Sequence, residues 1–451
     1  MIDMTRLKIA FSCLAAAIAL LWMLSAWPFP LPVGYFPIRA AGVQFTGVMA
    51  MAAMSVAMIL AMRPRWIEPW LDGLDKSYRL HKWLGIGALS VSIVHWLWAQ
   101  GAKWAVGWGW LARPQRGPRP QLDGIEGALR GWRGVAETVG EWAFYAAAIL
   151  IVAALLKAIP YRLFAKTHRF FPLAYLALVF HAVILLDFHV WATPLGVVMA
   201  ALLAGGSWAA VLSLAGMIGA GRKSEAEVTR AQHFPALGVL AGEQRMLGPW
   251  PGHKPGQFAF VTADAREGAH PYTIASAWNP ESRSLRFVAK ALGDHTATLP
   301  RIITPGKRVT VEGPYGCFTF DDDQPAQIWV GAGIGVTPFI AAMEHLAAER
   351  AAGRPSPRRI TLFHSTTVAD ETALDMLRAD AARAGVDLHI LVDARDGYLT
   401  GERIRQAVPG WREASLWFCG PARFGVSLRG DFAAQGLDVR RRFHQELFEM
   451  R

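Results

Sequence analysis

Charge and cysteine are both scarce in this 451-residue sequence. Asp, Glu, Lys and Arg make up 18% of it, well below the roughly 25% of soluble domains, which argues against an ordinary cytosolic enzyme. The three cysteines, Cys13, Cys317 and Cys419, lie far apart. That excludes a disulfide framework, and it excludes a cysteine-ligated iron–sulfur cluster, which needs clustered thiolates. Acidic residues are outnumbered 35 to 46, which leaves a net charge of +11. No nucleic-acid motif accompanies that charge. In a membrane protein, basic residues gather at cytoplasmic loops and anionic headgroups, so the expected partner is the lipid bilayer and not nucleic acid. With 53% apolar residues, disorder, collagen and coiled coil are excluded as well.

Long uncharged runs are plentiful, nearly all of them before Ala220. A membrane span needs about 20 mostly apolar residues. Runs at 9–27, 40–62, 83–100, 139–156, 170–186 and 190–220 predict six spans with both termini on one side. No small-x-small cleavage site ends the first run and more spans follow, so it reads as a span and not a signal peptide. Arg63, Arg65, Lys76, Arg79 and Lys82 precede the third run, and Lys157, Arg162, Lys166 and Arg169 precede the fifth. The 28–37 loop and the turn after Leu186 carry no basic residue. This asymmetry predicts a multi-pass protein of the inner (cell) membrane with cytoplasmic termini. The 101–133 loop dissents, with Lys103, Arg113, Arg116, Arg119, Arg130 and Arg133; rich in Trp and Gly, it is expected flat on the outer interface.

After Gly221-Arg222-Lys223 the chain reads as soluble protein, dividing near Asp321-Asp322-Asp323-Gln324-Pro325. The expected domains are therefore a helical membrane bundle over 1–221 and two soluble domains, 222–323 and 324–451. Short β-like runs at 257–262, 284–290 and 308–312, separated by Gly, Pro and Asn, predict a small antiparallel β-barrel. Runs at 327–330, 359–363, 388–392 and 416–419 alternate with helical stretches, which predicts an α/β domain with a parallel sheet.

His95 and His181 lie inside apolar runs, where ionisable residues are rare and usually functional. His81 and His168 stand at the cytoplasmic starts of the same two runs. Both runs cross from inside to outside, so His81 shares a depth with His168, and His95 with His181. Two cross-helix pairs stacked through the bilayer suit two bis-histidine haems. On an ideal helix the step from His81 to His95 spans roughly 20 Å and returns to within about 40° of the same face. The step from His168 to His181 is one residue shorter and turns the second ring off that face; Pro172, between them, is the place for a helix start or kink. The alternative for each histidine is a hydrogen bond to a neighbouring helix. His189, beyond Asp187, reads as a loop residue and is the competing candidate for the fifth run.

His270-Pro271-Tyr272-Thr273-Ile274-Ala275-Ser276 puts an aromatic ring and hydroxyl donors on one extended segment. Lys290-Ala291-Leu292-Gly293-Asp294-His295-Thr296 follows, then Gly313-Pro314-Tyr315-Gly316. Lys290 offers a cation, and Gly293 lets backbone amides approach a pyrophosphate. Gly331-Ala332-Gly333-Ile334-Gly335-Val336-Thr337-Pro338-Phe339 follows an apolar strand and opens a helix, which Thr337 is expected to cap and whose first turn suits Pro338. Amides exposed there would bind a dinucleotide phosphate. Cys419-Gly420-Pro421, after a second apolar strand, would set a small thiol at the sheet's carboxyl edge beside a nicotinamide; otherwise Cys419 is a buried structural residue.

Together these segments resemble the ferric reductase/NADPH oxidase family, a six-span haem domain fused to a ferredoxin-reductase-like dehydrogenase, in a minimal bacterial form. The resemblance covers nearly the whole chain. It implies that His81 and His168 hold an inner b-type haem and His95 and His181 an outer one. Tyr272 and Thr273, in the segment with His270 and Pro271, would contact the isoalloxazine of FAD, and Lys290 and Thr296 its phosphates. Gly331, Gly333, Gly335, Val336, Thr337, Pro338, Gly420 and Pro421 would line the nicotinamide nucleotide. The ending Phe443-His444-Gln445-Glu446-Leu447-Phe448 looks like the family's terminus, where an aromatic covers the flavin, which makes Cys419, Glu446 and Phe448 the catalytic candidates. The implied reaction takes a hydride from NADPH or NADH to FAD, then single electrons through the inner and outer haems to an acceptor outside. That acceptor is a ferric complex, molecular oxygen or a periplasmic redox protein. NADPH is only slightly preferred: Ser365-Thr366-Thr367 follow a strand where a 2′-phosphate would sit, with no arginine there. The alternative is a haem-free, membrane-anchored flavoprotein serving quinone or a partner protein.

Overall fold

In the computed structural model, residues 5–26, 34–112, 124–156 and 158–446 are described. They fall into two compact units. One comprises Thr5–Ile67 and Lys76–Ile218; the other comprises Glu68–Asp75 and the residues from Gly219 onward.

Helices α1 (Thr5–Ser25), α2 (Tyr35–Ala61), α3 (Glu68–Leu71), α4 (Leu74–Gly107), α5 (Gly124–Gly131), α6 (Arg133–Leu155), α7 (Tyr161–His168), α8 (Phe171–Leu185) and α9 (Pro194–Leu214) make up the N-terminal half. Among the described residues, five stretches are long and apolar enough to cross a bilayer: Arg6–Ser25, Tyr35–Ala61, Arg133–Leu155, Leu163–Leu185 and Pro194–Leu214. Helix α4 has 34 residues, about 50 Å of rise, and is more polar than those five. The six expected spans are reached only by counting it.

Small residues let these helices close on one another. Ser55 of α2 and Tyr175 of α8 are fully buried and hydrogen-bond at 2.8 Å. A Cβ on Gly206 of α9 would overlap the Tyr175 hydroxyl, so this glycine admits the pair. Glu141 of α6 accepts hydrogen bonds from Gln100 Nε2 (3.0 Å) and Tyr145 OH (2.7 Å), which satisfies a carboxylate within an apolar helix. Between His168 and His181 the helix is interrupted. α7 ends at His168, α8 opens at Phe171, and Pro172 sits in its first turn, where a missing N–H costs nothing.

In the second unit, β1 (Lys223–Phe234), β2 (Val239–Met246), β3 (Phe258–Thr262), β4 (His270–Thr273), β5 (Ser284–Lys290) and β6 (Arg308–Tyr315) form one antiparallel sheet in the order β4-β3-β6-β1-β2-β5. A bridge from Ile274 to Phe287 joins its two edges, as closure into a barrel requires. Ala226 and Val228 of β1, Leu285 of β5 and Val309 and Val311 of β6 alternate inward with period two and form its core. Helix α10 (Asp294–Ile302) lies between β5 and β6.

A parallel sheet follows: β7 (Ala326–Ala332), α11 (Thr337–Ala351), β8 (Arg359–Thr366), α12 (Glu371–Ala384), β9 (Asp387–Val392), α13 (Asp393–Asp396), α14 (Gly401–Ala407), β10 (Ala414–Cys419), α15 (Ala422–Ala434) and β11 (Phe443–Gln445). Its order is β11-β10-β7-β8-β9, all pairs parallel. The first strand is central, and the winding reverses between β7 and β10. The near-continuous burial of Gln327–Gly331 and Ala414–Cys419 is that of strands covered on both faces.

The segment Glu68–Asp75, between the second and third apolar runs, packs into this second unit. Glu68 Oε1 accepts from the Gly316 amide (2.6 Å) and Oε2 from Arg222 Nη1 (3.4 Å), and Arg222 lies over the Tyr315 ring.

Candidate functional site

Four histidines of the helical unit form two facing pairs. His81 of α4 faces His168 at the end of α7, with ring centroids 6.1 Å apart and planes at 78°. His95 of α4 faces His181 of α8 at 6.2 Å and 81°. His189, exposed on a short 3₁₀ turn, belongs to neither pair. A metal–imidazole bond of about 2 Å on each side, plus about 1.1 Å from each ring centre to its nitrogen, sets two coordinating rings roughly 6.2 Å apart. Both pairs have that spacing.

The second contacts of the rings fix their protonation. His81 Nδ1 donates to Ala57 O (2.9 Å), His95 Nδ1 to Val43 O (3.0 Å) and His181 Nδ1 to Ala136 O (2.8 Å). A carbonyl only accepts, so the proton is on Nδ1 and the Nε2 lone pair is left for a metal. Glycines clear space for the rings. A Cβ on Gly140 would overlap His181 Nδ1, and one on Gly47 would stand 3.2 Å from His95 Cε1. Neither glycine was singled out from the sequence, although a glycine inside a helix, at a cost of about 1 kcal/mol relative to Ala, signals close packing. His168 is held differently. Its Nδ1 is buried without a hydrogen-bond partner among the described residues, and the ring stacks on Phe171 (5.7 Å, 19°) with Phe164 at 5.3 Å. A cavity of about 340 Å³ opens beside His95 and His181, within the size range of ligand pockets. Arg39, Lys103 and Arg133 also line it.

On the antiparallel sheet, Thr273 is buried and pairs with Phe258. Burial pushes the Tyr272 hydroxyl up to about 12, and the oxygen has no partner among the described residues. A buried orphan donor of this kind is a place for a ligand acceptor. His270, at the start of β4, stacks face to face on His295 of α10 at 3.7 Å and 10°. Glu267, His270 and His295 bring ligand atoms within 4.8 Å of one another. Two parallel rings share no in-plane point, however, so this arrangement does not coordinate one ion. Burial lowers the pKa of both imidazoles, and the neighbouring ring lowers His270 further, which keeps them neutral at pH 7. Lys290 ends β5 opposite Val239. Thr296 Oγ1 accepts from the Leu292 (2.9 Å) and Gly293 (3.1 Å) amides. The hydroxyl expected on a phosphate therefore also closes its own turn.

At the carboxyl edge of the parallel sheet, the loop 331–336 and the Cys419-Gly420 turn meet. A Cβ on Gly335 would overlap the Cys419 carbonyl, and one on Gly420 would stand 2.7 Å from Ala332 Cβ; Gly333 has φ +56°. Val336 precedes α11 and Pro338 sits in its first turn. Thr337 is inside the helix, not its cap: its hydroxyl donates to Ile334 O at 2.6 Å. Pro421 precedes α15 in the same way. Cys419 is completely buried, and desolvation, with a smaller push from the Glu446 charge, raises its thiol well above the ordinary range. Burial there favours the neutral thiol. Glu446 is buried near both Cys419 and Gly316. Phe448 lies outside the described residues.

Residues 46–179 match a family described as "ferric reductase like transmembrane component". That stretch contains His81, His95 and His168 and stops two residues before His181. Over those residues the chain is ferric-reductase-like. It is 27% identical over 205 residues to a Mycobacterium tuberculosis protein named NADPH oxidoreductase, covering 44% of this chain and 52% of that protein. It is 26% identical over 200 residues to a superoxide-generating NADPH oxidase heavy chain of Dictyostelium discoideum, covering 38% of each. The chain thus spans about half, or less, of the length of these curated relatives. Among solved structures it is similar to the flavohem-like FAD/NAD-binding domain of nitric oxide dioxygenase from Vibrio cholerae. The identity there is 20% and the TM-score 0.42, over 49% of this chain and 97% of that one.

Proposed function

We propose that this ferric-reductase-like chain is a transmembrane oxidoreductase that moves electrons from cytoplasmic NAD(P)H, through FAD and two b-type haems, to an acceptor outside, a ferric complex or molecular oxygen. The observation that carries this reading is the two imidazole pairs at metal-bridging separation, 6.1 and 6.2 Å. They are spaced along α4 by roughly 20 Å, which suits two redox stations across a hydrocarbon core of about 30 Å.

When bound, FAD would turn a two-electron hydride donor into a source of single electrons, and haem iron would take them one at a time. The protein's part is to hold and orient. His81 with His168, and His95 with His181, would supply the nitrogens that hold haem iron, and the carbonyls of Ala57, Val43 and Ala136 fix ring rotation. Tyr272, Thr273 and Lys290 would hold FAD, the orphan Tyr272 hydroxyl donating to it. The loop 331–336, with the start of α11, would receive the dinucleotide phosphates. Cys419 would offer a neutral contact beside the nicotinamide, with Glu446 next to it. No residue is required to act as a general base. The basic residues before the third and fifth apolar runs support a cytoplasmic soluble half in an inner (cell) membrane.

The test is a reduced-minus-oxidised absorption spectrum of the purified full chain, with haem and FAD quantified. The expected result is two low-spin b-type haems per FAD. A flavin without haem would favour the membrane-anchored flavoprotein that serves quinone or a partner protein.

A further inference from the structure

We infer that Ser365 and Asp393 make this chain select NADH over NADPH. This rests on the reading of the parallel sheet as a pyridine-dinucleotide site, and it names which dinucleotide that site takes.

The sheet order β9-β8-β7-β10-β11 has its first strand in the middle. In such a doubly wound sheet a dinucleotide lies across the carboxyl ends where the winding reverses. Its diphosphate rests on the helix after the first strand, and its adenosine ribose lies toward the strands wound on from there. Here the first strand is β7, with the glycine loop and α11 after it. Ala332 pairs with Ser365, and Ser365 with Leu391, so Ser365 stands at the end of the second strand directly beside that loop. Asp393 follows the last residue of β9, the next strand outward. Ser365 Oγ donates to Asp393 Oδ1 at 3.2 Å.

The two coenzymes differ only at the 2′ position of that ribose, a hydroxyl in NADH and a phosphate in NADPH. A carboxylate accepts a hydrogen bond from the hydroxyl and repels the phosphate. The Ser365 hydroxyl proton, which could otherwise serve a phosphate oxygen, is committed to Asp393. Cations near this edge are engaged as well. Arg395 is held by Asp396 through contacts of 3.1 and 3.2 Å, and Arg378 by Asp375 (2.6 Å) and Glu371 (3.2 Å). Arg403 donates to the Tyr398 carbonyl at 3.2 Å. The slight preference for NADPH read from Ser365-Thr366-Thr367 could not include Asp393, which folding brings in from 28 residues further along.

The test uses the full chain in detergent. Steady-state oxidation of NADH and NADPH with a small artificial acceptor gives the two kcat/KM values. Calorimetric titration of the same protein with 5′-AMP and with 2′,5′-ADP reads the 2′ preference without electron transfer. The expected result is NADH preferred by at least about tenfold in kcat/KM, equivalent to about 1.4 kcal/mol, and 5′-AMP bound more tightly than 2′,5′-ADP. Asp393→Asn retains an acceptor for Ser365 but loses the charge, and should lower the NADH/NADPH ratio at least about tenfold. A wild-type chain that prefers NADPH or binds 2′,5′-ADP more tightly overturns the inference and leaves the dinucleotide reading intact. So does a ratio unmoved in Asp393→Asn. If that variant does not fold, the two wild-type preferences decide alone. A wild-type chain that oxidises neither coenzyme and binds neither nucleotide takes down the dinucleotide reading, and this inference with it.

Discussion

The two imidazole pairs of the helical unit use the same residues at nearly the same separation, yet they are built by different means. Both members of the His95–His181 pair are anchored through Nδ1 to backbone carbonyls, and glycines are placed where a methyl group would overlap the His181 ring and crowd the His95 ring. In the other pair only His81 has such an anchor; His168 stands at a helix end and is held by the faces of Phe164 and Phe171. Hydrogen bonds fix a ring's rotation, whereas aromatic packing fixes mainly its tilt. The His95–His181 pair should therefore be sensitive to single atoms and the His81–His168 pair to shape.

The largest expected effect comes from the histidines themselves. His95→Ala or His181→Ala should remove one of two haems and leave the other's spectrum, and His81→Ala or His168→Ala should do the converse. Haem counted per FAD would fall by half in each. Loss of haem in His189→Ala, with none in His181→Ala, would break the pairing. Next comes Gly140→Ala, whose methyl would overlap His181 Nδ1. It should strip most of the outer haem and spare the inner, while Gly47→Ala, facing His95 Cε1 at 3.2 Å, should only weaken it. Equal loss at both sites would dissolve the contrast. A smaller effect is expected for Thr46→Val. Thr46 Oγ1 lies 3.2 Å from His95 Nδ1, beside the stronger contact to Val43 O. Removing it should weaken the outer haem by about tenfold or less and leave the inner unmoved, read by competition with a haem-binding protein.

The smallest effect belongs to the soluble half. Burial and the Glu446 charge raise the Cys419 thiol, so its thiolate fraction stays below that of an ordinary thiol at every pH up to 9. Peptide-resolved labelling with iodoacetamide should leave buried Cys419 unmodified until the chain is unfolded. Rapid labelling of Cys419 in the native protein at pH 8 would contradict that environment.

What was legible in the sequence was whatever one element carries alone. The apolar runs, the glycine loop between β7 and α11 and the spacing of His81 and His95 are read along a single strand or helix. Pro172 pointed to the interruption that places His168 and His181, because a ring without an N–H belongs in a first turn. What escaped was what folding brings together. The carbonyls of Ala57, Val43 and Ala136 carry no side-chain signature. The His270–His295 stack joins two segments that had been given separate roles. Glu68, in a segment read as a basic loop, reaches Gly316 across 248 residues of sequence. Thr337, by contrast, was misread locally. It lies one residue inside the helix it was expected to cap, a one-residue error typical of helix ends.

The central claim is that two stations at two depths carry electrons across the membrane. It is tested most directly in sealed vesicles containing the full chain, with its soluble half facing out and a membrane-impermeant ferric complex trapped inside. The account predicts that external NADH reduces the trapped complex, and that His95→Ala abolishes this while external NADH still reduces a small acceptor added outside. If the wild-type chain carries both haems and consumes NADH but leaves the trapped complex oxidised, transmembrane transfer is contradicted.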